Sequence, residues 1–297
     1  MTKLFSGKKI AGQNKPYRSS LALDALQRLL RDKLAIAGLV IMIVFILTAL
    51  LAPLLTPYDP IVQDLVKRRQ TPSWQHPLGL DDLGRDILSR IIYGTRKSLQ
   101  VGVMSVSLAI IVGALVGAVS GYLGGWGDTL VMRLMDIMLA FPSLLLAIAI
   151  VTILGPGLLN MLYAIAIVSI PAYARIVRAS VLGVKAQDYI LAARSLGANH
   201  KRILFRHVLP NCLTPLIVQG TLGIGTAILD AAGLSFLGLG AQPPTPEWGA
   251  MLGQGRFAVF SAPHIVVSPG IAIMLTVLGF NLLGDGLRDA LDPRLRL

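Results

Sequence analysis

Charged residues are scarce in this chain. Asp, Glu, Lys and Arg make up only 14% of its 297 residues, whereas hydrophobic residues make up 54% and the mean hydropathy is +0.70. A water-soluble domain usually carries about 25% charged residues. The composition therefore excludes an ordinary soluble protein and is typical of a protein that crosses a membrane several times.

Patterns for disulfides, metals and nucleotides are also missing from the sequence. Cys212 is the single cysteine, so no internal disulfide can form, and we predict that it packs as a small apolar side chain. The four histidines lack the spacing of metal ligands, and no GxxxxGK[ST] motif occurs. We therefore expect no catalytic residues, no metal site and no cofactor held by this chain.

The net charge of +12 is spread over loops without interleaved aromatic residues, which argues against a nucleic-acid partner. Basic residues near membrane spans attract anionic lipid headgroups, so we expect membrane lipids as partners. In a six-span topology, 19 of the 27 Lys and Arg residues lie on one side. The excess of basic residues on the inner side predicts that both termini are cytoplasmic.

Long apolar runs locate the membrane spans, since about 18 or more consecutive apolar residues can cross a bilayer as a helix. The run 137–174 is too long for one span, and Gly155-Pro156-Gly157 divides it into two antiparallel helices, the first beginning near Leu130. The predicted spans cover 34–54, 98–127, the two halves of 130–174, 211–234 and 265–283. Six spans joined by short loops predict an all-α bundle.

The basic loop between the fourth and fifth spans carries signals for two short helices. Asp188 is placed to cap a helix over 189–196, and Gly197 stands where a left-handed residue would end it. Asn199 can cap a second helix over 201–208. The loop is therefore predicted to form a hairpin of two helices on the membrane surface.

Two interpretations of this hairpin remain open from the residues alone. Pro210 is expected to stop the second helix, and Ala192 and Ala193 keep the first one thin enough for close approach by another protein. The hairpin can therefore dock into a partner protein, or it can lie on lipid headgroups as an amphipathic element.

The small pair, glycine turn and proline of this loop resemble the EAA loop of binding-protein-dependent ABC importer permeases. The matching positions are Ala192, Ala193, Gly197, Leu209 and Pro210. Leu191 stands where that family has Glu, and His207 stands where it has Ile. These departures leave the backbone pattern intact, but they remove the acidic side chain through which the family's loop would contact an ATPase.

Further segments extend the resemblance to the peptide-importer branch, in particular to its second, C-type permease. They are 76–90, 234–249, 281–288 and 291–294. The resemblance implies an all-α, polytopic inner-membrane protein with six transmembrane helices and the type I ABC importer permease fold. It also implies a basic tail over 1–33, a first span and extracytoplasmic loop over 34–97, a transport core over 98–288 and a C-terminal tail over 289–297.

The partners implied by the resemblance are a sister permease, two ABC ATPase subunits that hold ATP and magnesium, and an extracytoplasmic solute-binding protein. The two permeases would form the pore, and the 192–210 loop would transmit motion from the ATPases. Dipeptides or similar small peptides are the favoured cargo. Glutathione, oligopeptides and nickel complexes are the alternatives.

Two other features carry secondary hypotheses. Small residues recur every fourth position at Gly113, Gly117, Gly121 and Gly125, which permits close helix packing or, alternatively, lines a groove in the pore. A proline-rich segment holds Pro244, Pro246 and Trp248. It is predicted to contact the binding protein or gate the pore, with membrane-interface anchoring by Trp248 as the alternative.

A channel or secondary transporter that works alone is the competing class, and a membrane scaffold is a third. A secondary transporter would show paired repeats, broken helices or buried coupling charges. Asp230 is the one ionisable residue well inside an apolar run. We place it about 28 Å along its helix, near the far interface and partly solvated or hydrogen-bonded to a neighbouring helix.

Overall fold

The computed structural model describes residues 26–291, which are helical with no strand in that range. Residues 1–25 and 292–297, including most of the predicted basic tail, lie outside the described part. The nine longer helices are α1 (Lys33–Leu50), α2 (Ile87–Leu123), α3 (Gly125–Ala140), α4 (Ser143–Leu154), α5 (Leu158–Lys185), α6 (Asp188–Ser195), α7 (Leu213–Phe236), α8 (Trp248–Gly255) and α9 (His264–Leu291).

Five membrane-spanning helices are long and apolar enough to cross a bilayer: α1, α2, α5, α9 and the continuous segment His200–Phe236 that contains α7. The pair α3 and α4 supplies a sixth crossing, but the two helices meet at a bend of 96°. The expected all-α polytopic fold is therefore confirmed. The expectation of a single helix from near Leu130 to the break at Gly155 is wrong, because two helices cover this stretch.

The bend between α3 and α4 has a local cause. Pro142 precedes the first residue of α4 and has no N–H to donate to the preceding turn. A residue before proline is disfavoured in the helical region, and Phe141 is extended at φ −88° and ψ 141°. The chain therefore leaves α3 at Phe141 and begins a new helix in another direction.

The second span begins earlier than predicted. Ile87 starts α2, and the Asp86 carboxylate accepts the Ser89 N–H at 2.8 Å as its cap. Arg90 lies inside the helix, is 1% exposed and donates to the Pro60 carbonyl at 3.0 Å. An uncharged run marks only the part of a helix that lies in the hydrocarbon. The predicted boundary between the extracytoplasmic loop and the transport core, at residues 97 and 98, therefore falls within α2. The 288/289 boundary likewise falls within α9.

The buried side chains form two main clusters. Both contain residues of α2 and α7; one adds α4, α5 and the loop after α5, and the other adds α1, α8 and α9. The helix α1 approaches α9 so closely that a Cβ on Gly38 would lie 2.7 Å from the Leu283 amide nitrogen. The loop that follows α5 is thus part of the main core.

Candidate functional site

The first half of the loop after α5 is a two-turn helix that ends on a glycine. Gln187 is the N-cap residue of α6 and makes no side-chain cap bond, so Asp188 is the first helical residue and its predicted role as N-cap is wrong. Gly197 has φ +82°. Its N–H donates to the Arg194 carbonyl at 3.0 Å and the Ala198 N–H donates to the Ala193 carbonyl at 3.1 Å, which is the Schellman pattern of a helix end.

The second half of the loop runs continuously into α7. The Asn199 side chain accepts the Arg202 N–H at 2.8 Å, as expected of an N-cap. The helix predicted over 201–208 is instead an α turn at His200–Ile203, a π turn at Leu204–Val208 and a 3-10 turn at Leu209–Cys212. We call the whole unit, residues 188–212, the hairpin.

Pro210 does not stop this segment, and that prediction is wrong. The Leu209 N–H bonds to the Leu204 carbonyl five residues back, and the Leu213 N–H bonds to the Pro210 carbonyl. Pro210 thus falls in the first turn of the 3-10 segment, where its missing N–H is not needed. The change in hydrogen-bond register accommodates the proline ring and joins the hairpin rigidly to α7.

Apolar burial holds the hairpin against the bundle. Ile190, Ile203 and Val208 are 0% exposed. They belong to the cluster that contains Val177 and Val181 of α5, which are also fully buried. A fully buried aliphatic side chain contributes about 1.5–3 kcal/mol relative to its exposed state. The hairpin therefore moves with α5 and α7 as one packed unit.

A polar joint that the sequence did not reveal ties the hairpin to α2. The Tyr122 hydroxyl lies 3.0 Å from His200 Nδ1, and the two rings meet edge to face. Lys185 Nζ donates to the Tyr122 carbonyl at 2.7 Å and lies 5.5 Å from the centre of its ring. These residues are 63 to 78 positions apart from Tyr122 in the chain, so spacing gives no signal for the contact.

A second missed contact lies about two turns before Lys185 on α5. Arg178 Nε and Nη2 donate to the two Asp128 carboxylate oxygens at 2.7 and 2.6 Å, and the Ser120 hydroxyl also bonds to this carboxylate. Bidentate arginine–carboxylate pairs fix orientation as well as distance. This pair locks α3 to α5 beside the hairpin.

The hairpin presents apolar side chains that the described part of the chain leaves exposed. Leu196 is 88% exposed, Phe205 is 60% exposed and Leu191 is 53% exposed. Ala192 and Pro210 are also exposed, while Ala193 and Leu209 are half-buried. The loop therefore combines a rigid base with a protruding apolar surface, a combination suited to insertion into a groove on another protein.

The predicted glycine stripe lies at a helix contact. Three of its members are in α2: Gly113, Gly117 and Gly121. An added Cβ at any of them would lie 3.2 Å or less from an atom of α5. Gly125 is not part of this face, because it starts α3 with φ +71°. A Cβ added to it would have no packing neighbour within 4 Å. The glycines allow the backbones of α2 and α5 to approach closely.

The proline-rich segment caps α8. The Glu247 carboxylate accepts the N–H groups of Gly249 and Ala250 at 3.0 and 2.8 Å, and the Ser98 hydroxyl at 3.1 Å. Trp248 is 0% exposed, and its indole N–H donates to a carbonyl of α2, that of Ile91, at 3.1 Å. Interface anchoring by Trp248 is therefore wrong, because Gly94 of α2 leaves room for its ring.

Of the three residues predicted to contact a binding protein or gate the pore, only one is accessible. Pro244 is exposed, whereas Pro246 and Trp248 are buried. A direct surface contact is thus open to Pro244 alone. Trp248 holds the segment in place against α2.

Comparisons with known proteins agree with this architecture. A family model described as binding-protein-dependent transport system inner membrane component matches residues 109–297, and the N-terminal TM domain of oligopeptide transport permease C matches 20–72. The dipeptide transport system permease protein DppC of Alkalihalophilus pseudofirmus is 55% identical over 92% of this chain and 90% of its own length.

Two further relatives show the range of named cargo. The di/tripeptide transport system permease protein DppC of Pseudomonas aeruginosa is 52% identical over 91% of each chain. The glutathione transport system permease protein GsiD of Pectobacterium atrosepticum is 50% identical over 91% of this chain and 90% of that one. An inward-facing structure of the MetNI methionine ABC transporter shares the fold, with a TM-score of 0.56 and 19% identity over 69% of this chain and 98% of that one.

The helical fold and these relatives define a permease subunit of an ABC importer, a multi-pass protein of the inner membrane. The chain belongs to the family of binding-protein-dependent transport system inner membrane components. Its structure can thus be interpreted as half of a transport pathway.

Proposed function

We propose that this permease pairs with a sister permease to form a pathway for dipeptides or similar small peptides. Dipeptide and di/tripeptide permeases at 55% and 52% identity support peptides as the cargo. A glutathione permease at 50% identity supports glutathione as the alternative. Energy comes from two partner ATPase subunits, which hold ATP and magnesium, and a solute-binding protein delivers the cargo from outside.

The hairpin is the coupling element, and the observation that carries this proposal is its exposed apolar surface on a rigid base. The side chains of Leu196 and Phe205 protrude, while Ile190 and Ile203 on the other side are fully buried. A groove on an ATPase subunit can hold the protruding side chains. Because the hairpin is continuous with α7, a movement of the ATPases is passed directly to that membrane span.

The topology that fits this role has both termini and the hairpin in the cytoplasm. The positive-inside bias supports this orientation. The 243–248 segment then lies on the outer side, where exposed Pro244 is available to the binding protein. Buried Trp248 connects the same segment to α2, so docking outside can bias the packing of the transport helices.

A charge placed on the apolar surface tests the coupling role. In cells that express all subunits, Leu196→Glu should abolish recovery of the ATPases with the tagged permease, because an ionised side chain would enter an apolar groove. Val66→Glu is the matched control, since Val66 is 95% exposed on the loop before α2. Full ATPase recovery and peptide uptake with Leu196→Glu would contradict the proposal.

A further inference from the structure

The helix α7 carries a carboxylate that has no partner among the residues the structure describes. Arg206 and Glu247 are the charged residues nearest to Asp230 in the sequence. Asp230 stands 17 positions after Leu213, the first residue of α7, or about 26 Å along the helix. Asp230 is half-buried, and its carboxylate forms no hydrogen bond or ion pair with any residue in the range 26–291.

An unpaired carboxylate within a membrane span is costly and usually faces a polar space. The predicted hydrogen bond from a neighbouring helix is therefore not formed within the described chain. The carboxylate therefore needs a hydrogen-bond partner from solvent, from a partner subunit or from a cargo molecule.

Asp230 belongs to a polar face of α7. Gln219 and Thr226 precede it by 11 and four residues, spacings that place all three on one side of a helix. Thr226 is exposed and the other two are half-buried. Gly223 and Gly233 fall on the same side and let other helices come close. An added Cβ on Gly223 would lie 2.2 Å from the Tyr173 hydroxyl oxygen of α5, and one on Gly233 would lie 3.5 Å from Leu144 Cδ1 of α4.

Two further sides of α7 are packed against other helices. Ile228 faces α2, where an added Cβ on Gly102 would lie 2.7 Å from Ile228 Cγ1. Gly225 faces α9, where its added Cβ would lie 3.4 Å from Asn281 Oδ1. The described helices cover the polar face at its two glycines, whereas Thr226 between them is exposed and the Asp230 carboxylate has no partner within 26–291.

Contact with lipid does not explain this face. Apart from Thr214 near its start, the exposed side chains elsewhere on α7 are apolar, as at Ile217 and Leu229, each 50% exposed. These suit hydrocarbon or an apolar subunit contact, whereas an amide, a hydroxyl and a carboxylate aligned along one helix face suit water. The three polar side chains therefore mark a side of α7 that suits a water-filled space.

We propose that the Gln219–Thr226–Asp230 face lines the cargo pathway and that Asp230 receives the α-ammonium group of the peptide. This inference rests on the proposed function. Dipeptides, tripeptides and glutathione, the cargo named for the relatives, share a free α-ammonium group. A carboxylate with no internal partner can form a charge-assisted hydrogen bond to it. Its distance from the hairpin places the contact toward the outer mouth of the pathway.

The test uses the assembled transporter in liposomes with saturating binding protein. Asp230→Asn should lower dipeptide uptake about tenfold, because a hydrogen bond to a charged group is weakened. ATP hydrolysis stimulated by the loaded binding protein should persist. Asp230→Glu should restore most uptake, and Asp285→Asn, an exposed carboxylate near the end of α9, should behave as wild type.

Cargo without the ammonium group provides the specific readout. At concentrations that saturate the binding protein, wild type should move a dipeptide about tenfold faster than its N-acetyl form, and Asp230→Asn should move both at the same rate. An unchanged preference in Asp230→Asn would overturn the proposal. If the wild-type transporter showed no ATP-dependent peptide uptake, the proposed function itself would be overturned instead.

Thiol labelling tests the location of the face independently of uptake. In a Cys212→Ala background, Thr226→Cys should react with a cationic, membrane-impermeant methanethiosulfonate, and dipeptide should slow the reaction. Cys212 is buried and is the single cysteine of the sequence, so its replacement leaves the introduced thiol as the one thiol of this chain. Absence of labelling both at rest and during ATP turnover would overturn the proposal and would place the face against the sister subunit.

Discussion

Gly197 offers the sharpest perturbation of the hairpin. Its φ of +82° is unfavourable for residues with a Cβ, and no heavy atom lies within 4 Å of the position a Cβ would take. The cost of a substitution therefore comes from the backbone alone and not from a clash. A left-handed residue other than glycine costs about 1–2 kcal/mol, and a β-branched one costs more.

A graded series follows from this geometry. Gly197→Asn should be tolerated best, Gly197→Ala should be intermediate, and Gly197→Val should be the most damaging. Because 1.4 kcal/mol is a factor of ten in an equilibrium, the valine variant should reduce the population of the native turn at least about tenfold. The turn sets the angle between α6 and the following helical segment, so the docking surface would be misaligned.

The series is checked with the purified complex in liposomes. Two activities are measured: peptide uptake and the ATP hydrolysis that the binding protein stimulates. Gly183→Val is the matched control, since Gly183 lies in α5 with no neighbour within 4 Å of an added Cβ and without a left-handed backbone. Uptake and stimulated hydrolysis should fall together in the order Asn, Ala, Val. Wild-type values for Gly197→Val would refute the hairpin as the coupling element.

Three other substitutions test the packing around the site, each read as the melting temperature of the complex. Gly117→Ala should destabilise α2–α5 packing by about 1–3 kcal/mol, whereas Gly183→Ala should not lower stability. Arg178→Met should cost about 2 kcal/mol by removing two bonds to a carboxylate, and adding Asp128→Asn should recover part of that loss. Glu247→Gln should cost about 1 kcal/mol by weakening the cap of α8; unchanged melting in any of the three destabilising variants would contradict the contact it tests.

The spans and the hairpin turn were predictable because their causes are local. Apolar runs located the bundle, and Gly197 and Asn199 ended and began helices as their backbone and side-chain chemistry requires. The Pro142 bend also had a local signal, but a run-length criterion ignores a proline within an apolar run. Pro210 was misjudged because a π turn before it supplies a different hydrogen-bond register.

The contacts that position the hairpin were not predictable, since they depend on long-range packing. Nothing near Tyr122 in the sequence indicates a bond to His200, and nothing near Trp248 shows that Gly94 leaves space for its ring. The same holds for Asp230. Its charge was visible in an apolar run, but only the structure shows that no neighbouring helix within 26–291 supplies a partner for its carboxylate.

The central claim is that this chain works as one permease of an ATP-driven importer. Affinity purification of the tagged chain from membranes, with identification of its subunits, tests it most directly. We expect a second permease and ATPases in the complex, with ATP hydrolysis stimulated by a binding protein loaded with peptide. A stable homo-oligomer that moves solute without ATPases would contradict the claim and would indicate a channel or secondary carrier.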